Sequence, residues 1–459
     1  MTALWTSDEI AAAVAGRVRG DFESSGVAFD SREVEPGSLF VAMKGEATDG
    51  HRFVDQAFAA GATGAIVSQA VGQPHVLVAD TAAALDALGR AARDRASARI
   101  CGVTGSAGKT GTKEALFAAL DRAEPGEAHR SVKSYNNHTG VPLSLARMPR
   151  ETRFGIFEMG MNHAGELAAL TRLVRPHVAI VTAIAPAHRE FFASEEEIAD
   201  AKGEIFQGLE DGGTALIPFD SPHRDRLAAA ARPYAASVLT FGLGAGADIR
   251  ARDVVPSPAG GSLVTATLPG AELTFTVSQP GNHWVSNALA VLGAVAALGG
   301  DLASAGLALA DLPGLKGRGE RRRIAVGGGE ALLIDESYNA NPASMAATLA
   351  TFGADSVSGR RIAVLGAMRE LGDSSAGFHA QLAEPVEAAG VETAILVGEE
   401  MEALAKALGA KVKMAHVPDT ATAIELARRE ARPGDAILVK GSNSIGLAAL
   451  VEALAGGIS

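Results

Sequence analysis

The chain has 459 residues, 47% of them hydrophobic, so it is long enough for about three domains and apolar enough to bury a core in each. Its 53 acidic residues outnumber 41 basic ones, and the net charge of −12 argues against nucleic acid or an anionic membrane as the main partner. A single cysteine, no apolar run of membrane length and no signal-peptide pattern at the start predict a cytoplasmic protein without disulfides or a membrane span.

Residues 1–98 have the pattern of a small α/β domain. Short apolar runs at 39–43, 65–68 and 75–78 predict strands, and the alanine-rich stretches 53–60 and 81–96 predict helices. Polar turns follow at 30–32 and 44–51, where strands end. Ligands bind at such strand ends in α/β sheets, although solvated loops have the same composition.

A glycine-rich turn between a strand and a helix opens the central segment, residues 99–313. The turn consists of Gly105, Ser106, Ala107, Gly108, Lys109, Thr110 and Gly111. Glycines let backbone N–H groups approach phosphate oxygens, the lysine reaches the β/γ-phosphates, and the threonine hydroxyl binds Mg²⁺. Val103 replaces the first glycine of the strict phosphate-loop pattern, so an ordinary strand-to-helix turn is the alternative. The attached Lys-Thr pair favours a nucleotide-phosphate site.

Two further strand ends in this segment carry side chains suited to a metal. The apolar run 154–160 contains Glu158, and the run 178–184 is followed by His188. Because parallel strands end at one edge of a sheet, we expect both side chains to face the bound phosphates. Taken singly, each residue favours a structural role, whereas their shared placement favours metal binding by the pair. Mg²⁺ prefers oxygen ligands, whereas a histidine suits Mn²⁺ better. Beyond His188, Ser194 is the predicted N-cap of a helix carrying Lys202.

Residues 314–459 predict a third α/β unit. The glycine- and arginine-rich stretch 315–323 is the best hinge candidate, and buried-strand runs follow at 331–335, 362–366, 394–398 and 436–440. Helices between them predict a parallel, doubly wound sheet. The predicted fold class is therefore α/β with three domains: a small N-terminal domain (1–98), a central P-loop-type ATPase domain with a mainly parallel sheet (99–313) and a C-terminal Rossmann-like domain (314–459).

The ordered motifs of the chain resemble those of the Mur ligases, the ATP-dependent amide-forming enzymes of peptidoglycan precursor synthesis. The resemblance covers nearly the whole chain and rests on segments 105–110, 135–142, 158–163, 185–188, 201–205, 282–288 and 335–342. Within the family, segments 201–206 and 337–342 are most similar to members that add D-alanyl-D-alanine to UDP-N-acetylmuramoyl-tripeptide. The absence of an Asp-Asn-Pro-Arg sequence is unlike many diaminopimelate- or lysine-adding members.

The resemblance implies a role for each matching residue. Nucleotide would be bound by residues 105–111 together with Asn287, Arg318, Asp335, Tyr338 and Asn339. The metal ligands would be Thr110, Glu158, His188 and a carbamylated Lys202, holding two Mg²⁺ ions or Mn²⁺. The catalytic set would be Lys109, Lys202, His188 and Glu158. The UDP-sugar substrate, bound by the N-terminal domain, would contact Ser31, Arg32, Lys44, Asn136 and Asn137.

The implied reaction is activation of the tripeptide carboxylate by ATP to an acyl phosphate, which the amine of D-alanyl-D-alanine attacks. The acyl phosphate must be kept from water, so we expect the last domain of a monomeric enzyme to close over the site. Two alternatives stay open at this point. One is another amino-acid-adding ligase, such as the preceding step of the same pathway or a folylpolyglutamate synthase. The other is a P-loop ATPase module that performs no ligation.

Overall fold

The computed structural model describes residues 3–45, 48–186, 190–257 and 260–458. Its strands form three sheets of five, nine and six strands in consecutive parts of the chain, plus a two-stranded ribbon near the start. The expected architecture of three α/β domains is confirmed. The domain boundaries after residues 98 and 313 stay predictions.

The N-terminal domain packs helices on a small, mostly parallel sheet. Its strands are β1 Trp5–Thr6, β2 Arg17–Arg19, β3 Glu23–Ser24, β4 Gly26–Ala28, β5 Ser38–Val41, β6 Gly64–Val67 and β7 His75–Leu77. Its helices are α1 Ser7–Val14, α2 Val54–Ala59 and α3 Thr81–Arg95. The sheet order is β2-β7-β6-β5-β4, and β2 is its antiparallel strand. The Trp5 indole donates to the Ala146 carbonyl at 2.9 Å, which ties this domain to the central one.

The central domain is built on a nine-stranded sheet in the order β16-β15-β14-β13-β12-β11-β8-β10-β9. Its strands are β8 Arg99–Thr104, β9 Ala128–Arg130, β10 Phe154–Glu158, β11 Val178–Val181, β12 Thr214–Pro218, β13 Ser237–Gly242, β14 Ile249–Pro256, β15 Ser262–Leu268 and β16 Ala271–Val277. Its helices are α4 Lys109–Ala123, α5 Gly140–Ala146, α6 Glu166–Val174, α7 Glu195–Gly203, α8 Arg224–Ala231, α9 Asn282–Leu298 and α10 Leu302–Asp311. Strands β8 to β14 are parallel, so β8, β10 and β11 end at one edge.

The C-terminal domain has a six-stranded sheet in the order β17-β18-β22-β19-β20-β21. Its strands are β17 Glu320–Val326, β18 Gly329–Glu336, β19 Arg361–Gly366, β20 Thr393–Val397, β21 Lys413–Val417 and β22 Ala436–Lys440. Its helices are α11 Pro342–Ala354, α12 Ser375–Gln381, α13 Ala383–Ala388, α14 Glu402–Leu408, α15 Thr420–Glu430 and α16 Ala448–Ala455. Separate apolar clusters cover the two faces of this sheet, as expected for a doubly wound domain.

Two details differ from the expectation for this last domain. Strand β17 pairs antiparallel with β18, so the sheet is not parallel throughout. The arginines at 321–323 belong to β17, so the hinge candidate is shorter than predicted and is confined to residues 315–319. Alternating exposure along β17 explains the error, because charged side chains on an edge strand point to solvent while Ile324 and Val326 are buried.

Apolar clusters also cover both faces of the central sheet, and Cys101 lies in one of them. Leu143 and Ala146 of α5 belong to the core cluster of the N-terminal domain, so the two domains share apolar packing. Across the residues that the structure describes, every helix is too short or too polar to cross a membrane.

Candidate functional site

The glycine-rich turn joins β8, which lies between β11 and β10 in the central sheet, to α4. Gly105 has a φ of 150°, and a Cβ there would lie 2.0 Å from the Thr182 hydroxyl oxygen. Gly108 has a left-handed φ of 83°. The Ser106 N–H donates to the Ala183 carbonyl at 2.7 Å. These contacts hold the turn against the residues that follow β11. The turn leads into the N-terminus of α4, where backbone N–H groups can bind an anion.

Lys109 and Thr110 open α4, as the loop pattern predicts. The Lys109 ammonium donates to the Gly105 carbonyl at 2.7 Å and so lies back over the turn. Burial lowers the pKa of Lys109, and the Glu158 carboxylate partly opposes that shift. A Cβ at Gly111 would lie 2.8 Å from the Trp284 ring, so this position needs a glycine where α4 meets α9.

Glu158 ends β10 and faces the first turn of α4. The Thr110 hydroxyl donates to its Oε2 at 2.8 Å, and the Asn136 amide donates to its Oε1 at 2.7 Å. The Glu158 N–H donates to the Ser131 hydroxyl at 3.1 Å. The side chain is 1% exposed, so the carboxylate has one fixed orientation at the phosphate loop.

The chemistry of these donors fits Mg²⁺. Thr110 and Glu158 offer two hard oxygens beside the phosphate loop, and Mg²⁺ usually takes one or two protein ligands with the rest from phosphates and water. Within the described ranges, there is no group of three or more His, Cys, Asp or Glu side chains that could hold a metal alone. His188, the predicted histidine ligand, lies outside the described residues.

Lys202 lies near the end of α7, whose N-cap is Ser194 as predicted. Its side chain is 1% exposed, and no other residue in the described part of the chain forms a hydrogen bond or ion pair with its Nζ. Burial holds the pKa of Lys202 well below its usual value, and the neighbouring Lys109 charge lowers it further. Lys202 therefore lies close enough to the phosphate loop to sense the charge of Lys109, in surroundings that disfavour its own ammonium form.

The C-terminal domain contributes a stacked pair to the same region. The Arg318 guanidinium carbon lies 4.2 Å from the centre of the Tyr338 ring, within cation–π distance. Arg318 also donates to the Ser134 hydroxyl of the central domain at 3.4 Å. Asn341, just before α11, donates to the Ser106 carbonyl at 3.3 Å. The last domain therefore contacts the phosphate loop directly.

Asp335 and Asn339 are engaged in local hydrogen bonds. The Asp335 carboxylate is 2% exposed and accepts from the Gly317 N–H at 2.8 Å and from the Ser337 hydroxyl at 2.6 Å. Asn339 accepts from the Ala340 N–H at 2.9 Å. Asp335 thus binds the backbone of the linker between the central and C-terminal domains at the end of β18. Its contact with a ribose stays a prediction.

Asn287 lies on α9 against the phosphate loop. It is 9% exposed, and a Cβ at Gly108 would come within 3.0 Å of its amide nitrogen. The start of α9 also borders a small cleft between the central and C-terminal domains, lined in part by His283, Trp284 and Phe352.

The predicted substrate residues are spread over two domains. Arg32 pairs with Asp30 at 2.6 Å, with its side chain 82% exposed, and Ser31 opens a short 3-10 turn beside it. Lys44 is exposed after β5. Asn137 accepts from the Gly140 N–H at 2.9 Å and so stabilises the start of α5, a local role that the sequence did not indicate.

Three functional candidates were not predicted. Ser131 and Asn341 make their contacts across long sequence distances. Asn341 lies within the motif segment 335–342, although no role was predicted for it, whereas no sequence signal identifies Ser131. Lys113 was detectable, because it follows Thr110 by three residues and therefore shares its helix face. It is completely buried, 4.0 Å from the Glu158 carboxylate.

Comparison with known proteins gives consistent matches along the chain. The family models described as the Mur ligase family catalytic domain, the Mur ligase middle domain and the Mur ligase glutamate ligase domain match residues 23–98, 103–295 and 317–443. The UDP-N-acetylmuramoyl-tripeptide–D-alanyl-D-alanine ligase of Escherichia coli K12 is 35% identical over 96% of each chain.

Solved structures agree with these matches. A crystal structure of MurF from Acinetobacter baumannii superposes with a TM-score of 0.84 at 30% identity, covering 98% of both chains. The MurF ligase of Thermotoga maritima in complex with ADP has a TM-score of 0.77 at 27% identity, covering 94% of this chain and 97% of its own.

Proposed function

The chain belongs to the Mur ligase family, and we propose that it joins D-alanyl-D-alanine to UDP-N-acetylmuramoyl-tripeptide in an ATP-dependent reaction. The observation that carries the proposal is the meeting of Lys109, Thr110 and Glu158 at one phosphate loop, within a chain that matches such ligases along nearly its whole length. The products are the pentapeptide precursor of peptidoglycan, ADP and phosphate.

ATP binds with its phosphates over the turn 105–111. The N–H groups at the start of α4 and the Lys109 ammonium neutralise phosphate charge, most of all on the γ-phosphoryl group in transfer. Arg318 and Tyr338 approach from the C-terminal domain, which suits contacts with the nucleotide. The base extends toward Asn287 on α9, which lies against Gly108 of the turn. The relative crystallised with ADP supports nucleotide binding by this fold.

Thr110 and Glu158 would hold one Mg²⁺, and Glu158, His188 and a carbamylated Lys202 would hold a second. The ions supply Lewis-acid charge to the phosphate oxygens when bound. Lys202 supports this arrangement because burial disfavours its ammonium form, and the deprotonated amine can add CO₂ and release a proton, which gives a carbamate anion that would compensate a cation. An uncompensated ammonium there would be costly.

The protein residues position the substrates for two successive steps, phosphoryl transfer and amide formation. A carboxylate oxygen of the tripeptide attacks the γ-phosphorus, forming acyl phosphate while ADP leaves. The free amine of D-alanyl-D-alanine then attacks the acyl carbon and loses a proton as the C–N bond forms, and phosphate departs with the electrons of the broken C–O bond. Contacts such as Asn341 with Ser106 keep the C-terminal domain over the site, which protects the acyl phosphate from water.

An amine screen tests the proposal. Purified enzyme with ATP, Mg²⁺ and UDP-N-acetylmuramoyl-tripeptide is offered D-alanyl-D-alanine, diaminopimelate, lysine or glutamate in separate reactions, and phosphate release is measured. We expect the dipeptide to stimulate release far more than any single amino acid. A preference for one of the amino acids would assign the chain to another ligase activity. Release that is indifferent to every amine would indicate an ATPase without ligation.

A further inference from the structure

Lys113 is a buried cation that the proposed reaction does not use. It lies on α4 and is 0% exposed. Its ammonium is 2.9 Å from the Glu114 carboxylate and 4.0 Å from that of Glu158. Glu114 also pairs with Arg130 at 2.7 Å. A buried cation is tolerated only with compensating charge and hydrogen bonds, and Lys113 obtains both from the surroundings of Glu158.

The third partner of Lys113 is a backbone carbonyl in the loop 131–139, between β9 and α5. The ammonium donates to the Lys133 carbonyl at 2.7 Å, where Lys133 has a left-handed φ of 52°. A non-glycine residue rarely adopts this conformation unless its surroundings fix it. Lys113 therefore contributes to holding the loop in a strained shape.

The same loop contacts all three domains. Toward the central domain, Asn136 donates to Glu158. Toward the N-terminal domain, Lys133 and Tyr135 both bind Glu33, which follows Arg32 of the predicted sugar-nucleotide pocket. Toward the C-terminal domain, the loop receives the hydrogen bond from Arg318 to Ser134.

We propose that Lys113 is a positioning residue: it fixes the Glu158 carboxylate and clamps the loop 131–139, and it thereby couples the nucleotide site to the sugar-nucleotide site. The Lys113 ammonium lies 4.0 Å from Oε2 of Glu158, and Asn136 donates to Oε1 at 2.7 Å from the loop that Lys113 binds through the Lys133 carbonyl. The part concerning metal binding rests on the proposed function of Glu158. The clamping of the loop does not, since it is a property of the enzyme without ligands.

Hydrogen exchange of the ligand-free enzyme tests the clamp. Lys113→Met keeps much of the side-chain volume and removes the ammonium. We expect amides in segments 131–139 and 158–161 to exchange about tenfold faster or more, with segments of β19 and β20 unchanged. The matched control is Thr112→Val on the same helix, because the Thr112 hydroxyl is buried without a partner among the described residues. Its exchange is expected to equal that of the natural protein.

Kinetics of the same variants test the coupling. We expect Lys113→Met to raise the half-saturating Mg²⁺ concentration and the KM for the UDP-sugar peptide, each about tenfold, and to leave the KM for D-alanyl-D-alanine within about twofold. Unchanged loop exchange together with unchanged Mg²⁺ dependence would overturn the inference. So would faster exchange throughout the protein, which would indicate a merely structural role.

A second variant covers the case in which Lys113→Met does not fold. Lys113→Gln keeps a hydrogen-bond donor and loses the charge, and we expect it to shift the Mg²⁺ dependence. A natural Mg²⁺ dependence together with natural exchange of the loop 131–139 in this variant would reject the inference. The proposed ligase function and the proposed role of Lys113 can be refuted independently of each other. An enzyme without amine-dependent phosphate release would refute the proposed function, while altered loop exchange in Lys113→Met would still support the clamp.

Discussion

The Thr110 hydroxyl donates a 2.8 Å hydrogen bond to Oε2 of Glu158, joining the first turn of α4 to the end of β10. These two residues are 48 positions apart in sequence, and the parallel pairing of β8 with β10 brings them together. Both oxygens are hard ligands beside a phosphate loop. Their contact explains why a metal carried by ATP would meet a carboxylate at this place in the fold.

Removing the Thr110 hydroxyl tests this contact. Thr110→Val keeps the shape of the side chain and removes one oxygen, so we expect kcat/KM for ATP to fall by about a hundredfold or more. Thr112→Val, two residues further along α4, removes a hydroxyl that has no partner among the described residues and is expected to be nearly neutral. Equal rates for the two variants in a phosphate-release assay would contradict the assignment.

Lys109 is expected to be essential for phosphoryl transfer. Lys109→Ala removes the cation beside the phosphates, and we expect ATP-dependent phosphate release to become undetectable in a folded variant. Lys406→Ala is a suitable control, since Lys406 forms an exposed ion pair with Glu402 in the C-terminal domain. Near-normal turnover of Lys109→Ala would refute the phosphate role.

Chemical rescue tests whether Lys202 is carbamylated. Lys202→Ala removes the group that we propose to be carbamylated, so activity is expected to fall by at least about a hundredfold. Added short carboxylic acids, such as acetate, are expected to restore part of it by occupying the space of the carbamate. An active variant that is insensitive to the added acids would rule out the carbamate.

The stability of the central domain is expected to depend on His129. This side chain contacts the Ser144 carbonyl at 2.9 Å, and burial lowers the pKa of His129 to about 4. In the unfolded chain, the His129 imidazole takes up a proton near pH 6.5. Between pH 6.5 and 4 the unfolded state therefore binds more protons than the folded state. Stability is therefore lost as the pH falls through this window, by up to about 3 kcal/mol.

Urea unfolding at several pH values checks this effect. His129→Gln keeps a donor for the Ser144 carbonyl and cannot be protonated, so its free energy of unfolding is expected to vary less between pH 6.5 and 4. Parallel pH curves for the natural protein and the variant would contradict the prediction.

Local sequence patterns predicted much of the fold and part of the site. The glycine-rich turn with Lys109 and Thr110, the N-cap Ser194 and the strand ending at Glu158 all follow from residues close together in the chain. The antiparallel strands β15 and β16 were not predicted, because their alternating exposed and buried residues give no long apolar run.

The features that could not be predicted from the sequence depend on contacts between segments that are distant in the chain. The loop 131–139 obtains its conformation from Lys113, Glu158, Glu33 and Arg318, which come from three domains. Asn137 was expected to bind substrate on the basis of a motif, yet its visible role is to stabilise the start of α5. A motif identifies a segment, whereas the role of each side chain depends on its partners in the fold.

Coupling between nucleotide consumption and peptide joining tests the central claim most directly. Natural enzyme is given UDP-N-acetylmuramoyl-tripeptide, D-alanyl-D-alanine, Mg²⁺ and ATP, and the pentapeptide product, ADP and phosphate are quantified together. One ADP and one phosphate are expected for each product, with no product when ATP is left out. Product formed without nucleotide, or ATP hydrolysed at the same rate with no dipeptide present, would contradict the account.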